Sequence, residues 1–327
     1  MEDYHLGEAL RYLVTGAAGF IGARFVESCN KEEIELISVD KLANFSRPEH
    51  DGLDFGMKFD TDDIMHHLLH DAPRHIDAII HLGAISDTTA SDIHELRRLN
   101  TDFSHHLWQY AAQYQVPFVY ASSAATYGAH EKGFYDDEDE LRNLIPLNHY
   151  GMSKHAFDLD VLKLERQGIV PPNWAGFKFF NVYGYGEAHK GRMASMVYQA
   201  FQQIKSDRKI TLFKSHRDDI GDGLQCRDFV YVDDVVEVLH WSLANSKRGI
   251  YNLGTGTASP YLDLALSAFE ALKVFPKIDW IDTPEDIRDQ YQYFTKAEMK
   301  KLRDAGYKKP FTNLSTGIKA YAKRLGL

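Results

Sequence analysis

Tyr150 and Lys154 stand four residues apart in His149-Tyr150-Gly151-Met152-Ser153-Lys154, a stretch with helical character. On a helix that spacing brings both side chains to one face. A phenol beside an ammonium is a proton-transfer pair, because the positive charge favours phenolate and lowers its pKa toward a value useful to a general base. Upstream, Tyr120-Ala121-Ser122-Ser123-Ala124-Ala125-Thr126-Tyr127-Gly128 closes an apolar run with two hydroxyls. Ser123 there can hydrogen-bond a substrate oxygen and hold it against Tyr150. A Tyr-x-x-x-Lys pair also arises by chance in such a chain, so its meaning depends on the elements around it. A second cluster, Ala188-His189-Lys190-Gly191-Arg192-Met193-Ala194-Ser195, gathers three potential cations in a chain of formal net charge -10. It is either a solvated loop or a place built to meet something.

The elements that must position these groups alternate along the first 180 residues. RYLVTG, ELISVD, IDAIIHLG, PFVYASS and AGFKFFNV are short apolar runs ending in small or polar residues, as buried parallel strands do. ARFVESCNK and FSHHLWQYAAQY carry helical periodicity between them. The pattern predicts an α/β fold, a doubly wound parallel sheet with a smaller, interleaved α/β substrate-binding lobe. Residues 1–180 form the dinucleotide-binding part, with a return segment near 227–256, and 181–327 the second lobe. In the second part RMASMVYQAFQQIK reads as an amphipathic helix, and RDFVYVDDVVEVLHWSLAN as a strand passing into a helix. Ligands of such sheets bind at the carboxyl ends of the strands.

The first strand runs into Thr15-Gly16-Ala17-Ala18-Gly19-Phe20-Ile21-Gly22. Glycines at this spacing allow a tight turn, bring backbone N–H groups against a pyrophosphate and let the next helix pack on the strand. Asp40, ending the second strand, is placed to accept hydrogen bonds from an adenosine ribose, which favours NAD. Lys41 and Arg47 follow in the same loop, and either could neutralise a 2'-phosphate, so NADP is the expected cofactor, with NAD possible. The oxidised nicotinamide would add to the positive charge near Tyr150. Asp60, after the third apolar run, could contact adenine or cap a helix.

The 327 residues exceed one ordinary domain, and 44% hydrophobic content with 13% aromatics is that of a globular chain. The acidic balance argues against nucleic acid or an anionic membrane surface as partner. The N-terminal MEDYHLGEAL is too polar for a signal peptide, and no apolar run approaches the roughly 20 residues of a membrane helix. Cys29 and Cys226 show neither metal spacing nor a disulfide framework, which suits a reducing cytoplasm. His66, His67 and His70 in MHHLLH lack partners with ligand spacing, so no metal is expected.

Strand-end serine, helical Tyr-x-x-x-Lys and glycine turn, in this order, give the chain from Arg11 onward a resemblance to the extended short-chain dehydrogenase/reductase superfamily. ASSAATYG, FNVYG, HKG-x-MAS, RDFVYV, NLGTG and YQYFT-x-A-x-x-x-x-LR-x-AGY-x-KPF, read together, resemble the family of ADP-L-glycero-D-manno-heptose 6-epimerases. The resemblance implies an isomerase that inverts C6 of an ADP-heptose for the inner core of lipopolysaccharide, by transient oxidation to a ketone. It implies a cofactor site of Gly16, Gly19, Phe20, Ile21, Gly22, Asp40, Lys41 and Arg47, completed by Leu82, Gly83, Ala84, Ser86, Asn100, Lys154 and Val182. It also implies a homo-oligomer, a pentamer by family.

An epimerase beside a fixed nicotinamide needs two proton sites. Hydride leaves and returns on one side, so the ketone must present its other face, and at an exocyclic carbon that turn moves the oxygen. An acid or base must lie within about 3 Å of its oxygen, so one group cannot serve both orientations. Lys190, matching the lysine of the family's HKG motif, is the expected second group beside Tyr150; the alternative is a lysine that only binds phosphate. His189 and Arg192 would orient the loop or meet the diphosphate. Arg227 is the expected diphosphate ligand, since guanidinium matches its oxygens bidentately; the alternative is a surface ion pair with Asp228 or Asp233. By resemblance, Asn181, Arg192, Phe213 and Tyr291 line the sugar-nucleotide pocket.

Competing functions are weaker. A sugar-nucleotide 4,6-dehydratase places an acidic pair after its catalytic serine or threonine, and Ala124 and Ala125 cannot transfer protons. A 4-epimerase of UDP-sugars shares SSAxxYG but has no need of the HKG lysine. A non-catalytic NADP-binding regulator would not need Ser123, Tyr150 and Lys154 together.

Overall fold

A strand buried on both faces satisfies its backbone groups only in a ladder with neighbours on both sides. The apolar runs of this chain meet that demand in one parallel sheet. The computed structural model describes residues 9–70, 75–129, 133–288 and 291–327, and the polar stretch 1–8 lies outside the described residues. The strands are β1 (Arg11–Thr15), β2 (Glu35–Val39), β3 (Met57–Phe59), β4 (Ala78–His81), β5 (Phe118–Ser123), β6 (Trp174–Phe179), β7 (Asn181–Tyr183), β8 (Ile210–Phe213), β9 (Cys226–Tyr231), β10 (Arg248–Leu253), β11 (Ala258–Pro260) and β12 (Ile278–Ile281). Seven of them form one sheet in the order β10-β6-β5-β4-β1-β2-β3, and every pairing in it is parallel. Helices such as Phe20–Lys31, Phe103–Tyr114 and His149–Arg166 connect the strands.

Because all seven strands run one way, their carboxyl ends share an edge. That edge carries the glycine turn after β1, Asp40 after β2, the loop from Leu82 after β4, and Ser123 at the end of β5. The order reverses at β1, which lies between β2 and β4; this is where a crevice opens. Two glycines there are forced by close approach. Gly16 has φ +64°, and a Cβ on it would stand 2.6 Å from the Gly83 nitrogen. A Cβ on Gly22 would stand 2.0 Å from the Gly16 carbonyl oxygen. The helix can therefore begin directly under the strand.

The run AGFKFFNV, expected as one strand, is two. Val182 N–H donates to the Phe180 carbonyl at 2.8 Å, and this tight turn ends β6. β7 then leaves the large sheet and pairs with β9, which pairs with β11. The helix expected from Arg192 starts instead at Met196, because the Ser195 hydroxyl caps it by accepting from Tyr198 N–H. A second hydrophobic cluster gathers here on Val197, Phe201, Leu264, Phe269 and Tyr321, beside the parallel pair β8 and β12. Among the described residues no helix is long and apolar enough to cross a membrane. Of MHHLLH, His67 stacks on Phe59 at 4.3 Å and His66 lies 4.6 Å from His70; no three candidate ligands gather into a metal-binding group among the described residues.

Beneath the edge lies a buried ion pair. Asp158 and Lys178 are both inaccessible to solvent, with Nζ 2.5 Å from Oδ2. Asp158 also accepts from the Tyr120 hydroxyl at 3.0 Å and the Ser122 hydroxyl at 2.8 Å. Lys178 donates to Thr126 Oγ1 at 2.7 Å. The pair thus joins helix His149–Arg166 to β5, β6 and the turn after Ser123. Removing one member of a buried pair strands the other's charge, at a cost of about 3–5 kcal/mol. Asp158→Asn and Lys178→Met should each lose about that much unfolding free energy in denaturant titration. The double variant should lose less than the sum; strictly additive losses would show that the two groups are not coupled.

Candidate active site

The crevice at the strand ends encloses about 640 Å³. Gly16, Gly19, Phe20, Ile21, Gly22, Asp40, Lys41, Arg47, Leu82, Gly83, Ala84, Ser86, Val182, Ser123, Tyr150, Lys154, His189 and Lys190 all line it. Residues from five strand ends and from the loop after β7 therefore meet around one space. Its phosphate end is the start of helix Phe20–Lys31, where Gly19 offers no side-chain cap to the first turn. An anion can take the place of that cap. Asp40 is held rigidly, accepting from Ala18 N–H at 3.1 Å, Lys41 N–H at 2.8 Å and the Asn44 amide at 2.7 Å. Arg47 lies across the glycine turn and donates to the Ala18 carbonyl at 2.7 Å. A space of this size with a bare helix terminus at one end and a rim carboxylate with two cations fits a dinucleotide.

Asn100 does not line the crevice. It is fully buried one layer behind it, because its amide is committed to Ile85 N–H (2.8 Å), the Ile85 carbonyl (3.0 Å) and Ser153 Oγ (3.0 Å). It fixes the cofactor-side loop to the helix that carries Tyr150. A second buried chain does the same from the other side. Gly83 N–H donates to Thr15 Oγ1, whose hydroxyl donates to His81 Nδ1; His81 Nε2–H donates to Ser104, and Ser104 to the Asn100 carbonyl. Burial holds His81 neutral, its pKa pushed down to about 3.

Tyr150 and Lys154 share one helix face and point into the crevice with Ser123. The expected lowering of the phenol's pKa is not present in the protein alone. Burial pushes it above the ordinary value, while the hydrogen bond with Ser123 opposes. Lys154 donates instead to the Ala121 carbonyl at 2.8 Å. Burial pushes its own pKa down to about 8, against the charge of Asp158 one turn further on.

Lys190 reaches the same crevice from the loop after β7, its Nζ 5.8 Å from the centre of the Phe20 ring. Burial lowers its pKa, with Glu187 opposing, so this amine gives up its proton more readily than an exposed lysine. His189 is tied to Glu49, Nδ1 to Oε1 at 2.9 Å, and so anchors the loop. Arg192 is exposed and only grazes Thr89 Oγ1, at 3.4 Å.

The other expected substrate contacts lie outside the crevice. Arg227 is buried, its guanidinium 5.5 Å from the Tyr261 ring centre and 5.6 Å from that of Tyr291, with Nη1 on the Cys226 carbonyl at 2.8 Å. Phe213 packs edge-on to Tyr291 at 6.3 Å. A surface pair with Asp228 is excluded by geometry. The Asp228 carboxylate is fully buried and accepts from Thr255 N–H and hydroxyl, Gly256 N–H and Ala297 N–H. Asn181 is exposed at the start of β7, in register with Phe229 on the strand that carries Arg227. Asp60 sits in the turn ahead of helix Ile64–His70, accepting from Asp62 N–H and Leu42 N–H.

Sequence reasoning missed several groups. Asn44, Thr61, Glu95 and Ile85 also line the crevice, and in the sequence they are unremarkable loop or helix residues. His216 stacks edge-on to both Tyr291 (6.1 Å) and Tyr293 (5.0 Å). Its signal was the aromatic pairing of Tyr291 and Tyr293, which only a fold could bring to it.

Known proteins agree with this geometry. The model of the NAD dependent epimerase/dehydratase family matches residues 12–254. A Fusobacterium nucleatum ADP-L-glycero-D-manno-heptose-6-epimerase is 42% identical, the match covering 95% of this chain and 96% of that protein. The enzyme of the same name from Nitratidesulfovibrio vulgaris is also 42% identical, over 96% of this chain and 97% of that one. Among solved structures, the Helicobacter pylori ADP-L-glycero-D-manno-heptose-6-epimerase superposes with a TM-score of 0.81 at 26% identity, over 98% and 97% of the two chains. A Thermus thermophilus UDP-glucose 4-epimerase in complex with NAD gives 0.76 at 25% identity, over 97% and 99%. A nicotinamide dinucleotide is accordingly the cofactor class that this crevice takes. The chain belongs to the NAD dependent epimerase/dehydratase family and, within it, groups with the ADP-L-glycero-D-manno-heptose-6-epimerases.

Proposed function

We propose that the chain inverts C6 of the heptose in an ADP-glycero-manno-heptose, with Tyr150 and Lys190 as two separate acid/base groups. One observation carries the reading: Ser123, Tyr150, Lys154 and Lys190 line a single crevice, although they come from β5, one helix and a distant loop. A nicotinamide dinucleotide bound there supplies the hydride acceptor and donor. Ser123 and Tyr150 line the crevice together and hold the substrate oxygen in its first orientation, where the phenol exchanges its proton. The positive charge that favours phenolate would come with the bound cofactor, since burial holds the phenol's pKa above its ordinary value in the protein alone. When the carbonyl turns over, its oxygen passes out of reach of Tyr150, and the partly desolvated amine of Lys190 serves it there. Arg227, its guanidinium near the rings of Tyr261 and Tyr291, takes the diphosphate, with Phe213 and Tyr291 beside the nucleotide. NADP is preferred, with Lys41 and Arg47 answering a 2'-phosphate. The product feeds lipopolysaccharide inner-core synthesis in the cytoplasm, and the enzyme works as a homo-oligomer, a pentamer on the family pattern. Residues 1–180 and the return segment near 227–256 hold the cofactor, and the rest of 181–327 the sugar nucleotide.

The experiment is conversion of ADP-heptose between its C6 isomers by the purified protein, followed by NMR. Lys190→Met and Tyr150→Phe should each lose about 10²–10⁴-fold in turnover while still retaining cofactor. Near-normal turnover of Lys190→Met would remove the two-site mechanism. Arg47→Ala should weaken NADP by roughly 10- to 100-fold, the worth of a charged hydrogen bond, and leave NAD binding unchanged in fluorescence titration. Equal losses for both cofactors would overturn the NADP preference.

A further inference from the structure

The loop that carries Lys190 has no ladder to fix it. It leaves β7 at Gly184 and re-enters a helix after Ser195. Gly191 in its middle has φ +54°, with open space around a would-be Cβ. One side chain closes the loop. The Glu187 carboxylate is fully buried; its Oε1 accepts from Gly184 N–H at 3.2 Å and from the Ser195 hydroxyl at 2.7 Å, and its Oε2 from Ser195 N–H at 2.5 Å. Both ends of the span 184–195 therefore hang on the same two oxygens.

Glutamine could serve as acceptor for such a turn without a buried charge, which is expensive unless a cation faces it. Lys190 stands one turn on, its backbone N–H donating to the Glu187 carbonyl at 3.0 Å, and each side chain alters the other's proton affinity. The remaining groups around the pair are few. The Tyr321 hydroxyl, on helix Leu314–Arg324, is buried near Glu187, with Tyr198 and Tyr231 near it. On the other side His189 is held by Glu49 and feels Arg47, and the face of Phe20 lies under the ammonium.

We propose that Glu187 is a positioning residue for Lys190: its buried carboxylate closes the loop that brings the amine to the crevice wall. The inference rests on the reading of Lys190 as the second acid/base group. Its test uses the full chain with bound cofactor and compares Glu187→Gln, Glu187→Asp and Lys190→Met. Glu187→Gln should slow epimerisation by roughly 10- to 100-fold, the cost of small misplacement. It should also move the lysine limb of the kcat/KM pH profile to lower pH, because the charge that raises the amine's pKa is gone. Glu187→Asp keeps that charge and should keep the limb where the unaltered chain has it. A Glu187→Gln profile that superimposes on that of the unaltered chain overturns the proposal. If Lys190→Met turns over normally, the reading of Lys190 fails, and Glu187 is then judged by hydrogen exchange alone. Faster exchange confined to 184–195 in Glu187→Gln supports loop closure, and unchanged exchange rejects it. Should Glu187→Gln fail to fold, Ser195→Ala removes one anchor and keeps the charge. It should speed exchange of the span without moving the limb, and a silent Ser195→Ala counts against the clamp.

Discussion

Two amines line one crevice, and each shares its segment with a buried carboxylate whose charge opposes the effect of burial on the amine. For Lys154 the carboxylate is Asp158, one helical turn further along the same helix. For Lys190 it is Glu187, at the start of the same loop. Desolvation drives both amines toward neutrality, and the carboxylate decides how far they go. The strength of that opposition depends on distances that the chain must hold constant, so much of the surrounding structure consists of devices for holding them. Lys178 and the hydroxyls of Tyr120 and Ser122 fix Asp158; Gly184 and Ser195 fix Glu187.

The two supports differ in stiffness. Tyr150 and Lys154 ride on a long helix pinned by Asp158 to β5 and by Asn100 to the cofactor-side loop. Lys190 rides on a loop with a left-handed glycine beside it, tethered by Glu187, by the His189–Glu49 contact and by the Gln199 amide on the Gly191 carbonyl. Tyr150 and Lys154 are thus part of the large core. Lys190 is suspended between that core and the cluster around Phe201 and Tyr321.

Much of the first site was legible in the sequence, because its parts are local. A glycine turn after an apolar strand, a carboxylate at the next strand end and a Tyr-x-x-x-Lys helix are each short patterns whose physics is carried by neighbours in sequence. The parallel, doubly wound character of the sheet followed from alternation alone. What stayed hidden depends on long-range burial. Asp158 and Lys178 lie 20 residues apart and bond only because β5, β6 and the helix stack. Glu187, an acid beside three cations, reads as a surface ion pair until the fold shows it with no exposure at all. The break between β6 and β7 turns on one hydrogen bond at Phe180, within a run of unbroken strand formers. The phenol's surroundings stayed hidden for a related reason: spacing reveals the nearby charge, whereas burial, which raises the pKa in the protein alone, is a property of the whole crevice.

This division bears on how inversion can work at all. A proton can be handed over only within about 3 Å, and a substrate oxygen that swings through the crevice needs a receiver at each end of its path. If both receivers sat on the rigid helix, their spacing would be set by helical geometry, and only one face of the substrate could be served. Placing the second on a loop that crosses back from another strand frees its position from the helix, at the cost of needing its own anchor. A carboxylate answers both requirements at once, since its two oxygens can tie both loop ends while its charge holds the amine in place. A neutral side chain could do the first but not the second, and an exposed acid could do neither, because water would compete for its hydrogen bonds and screen its charge. The burial of Glu187 is therefore what allows a loop to hold Lys190 at the crevice.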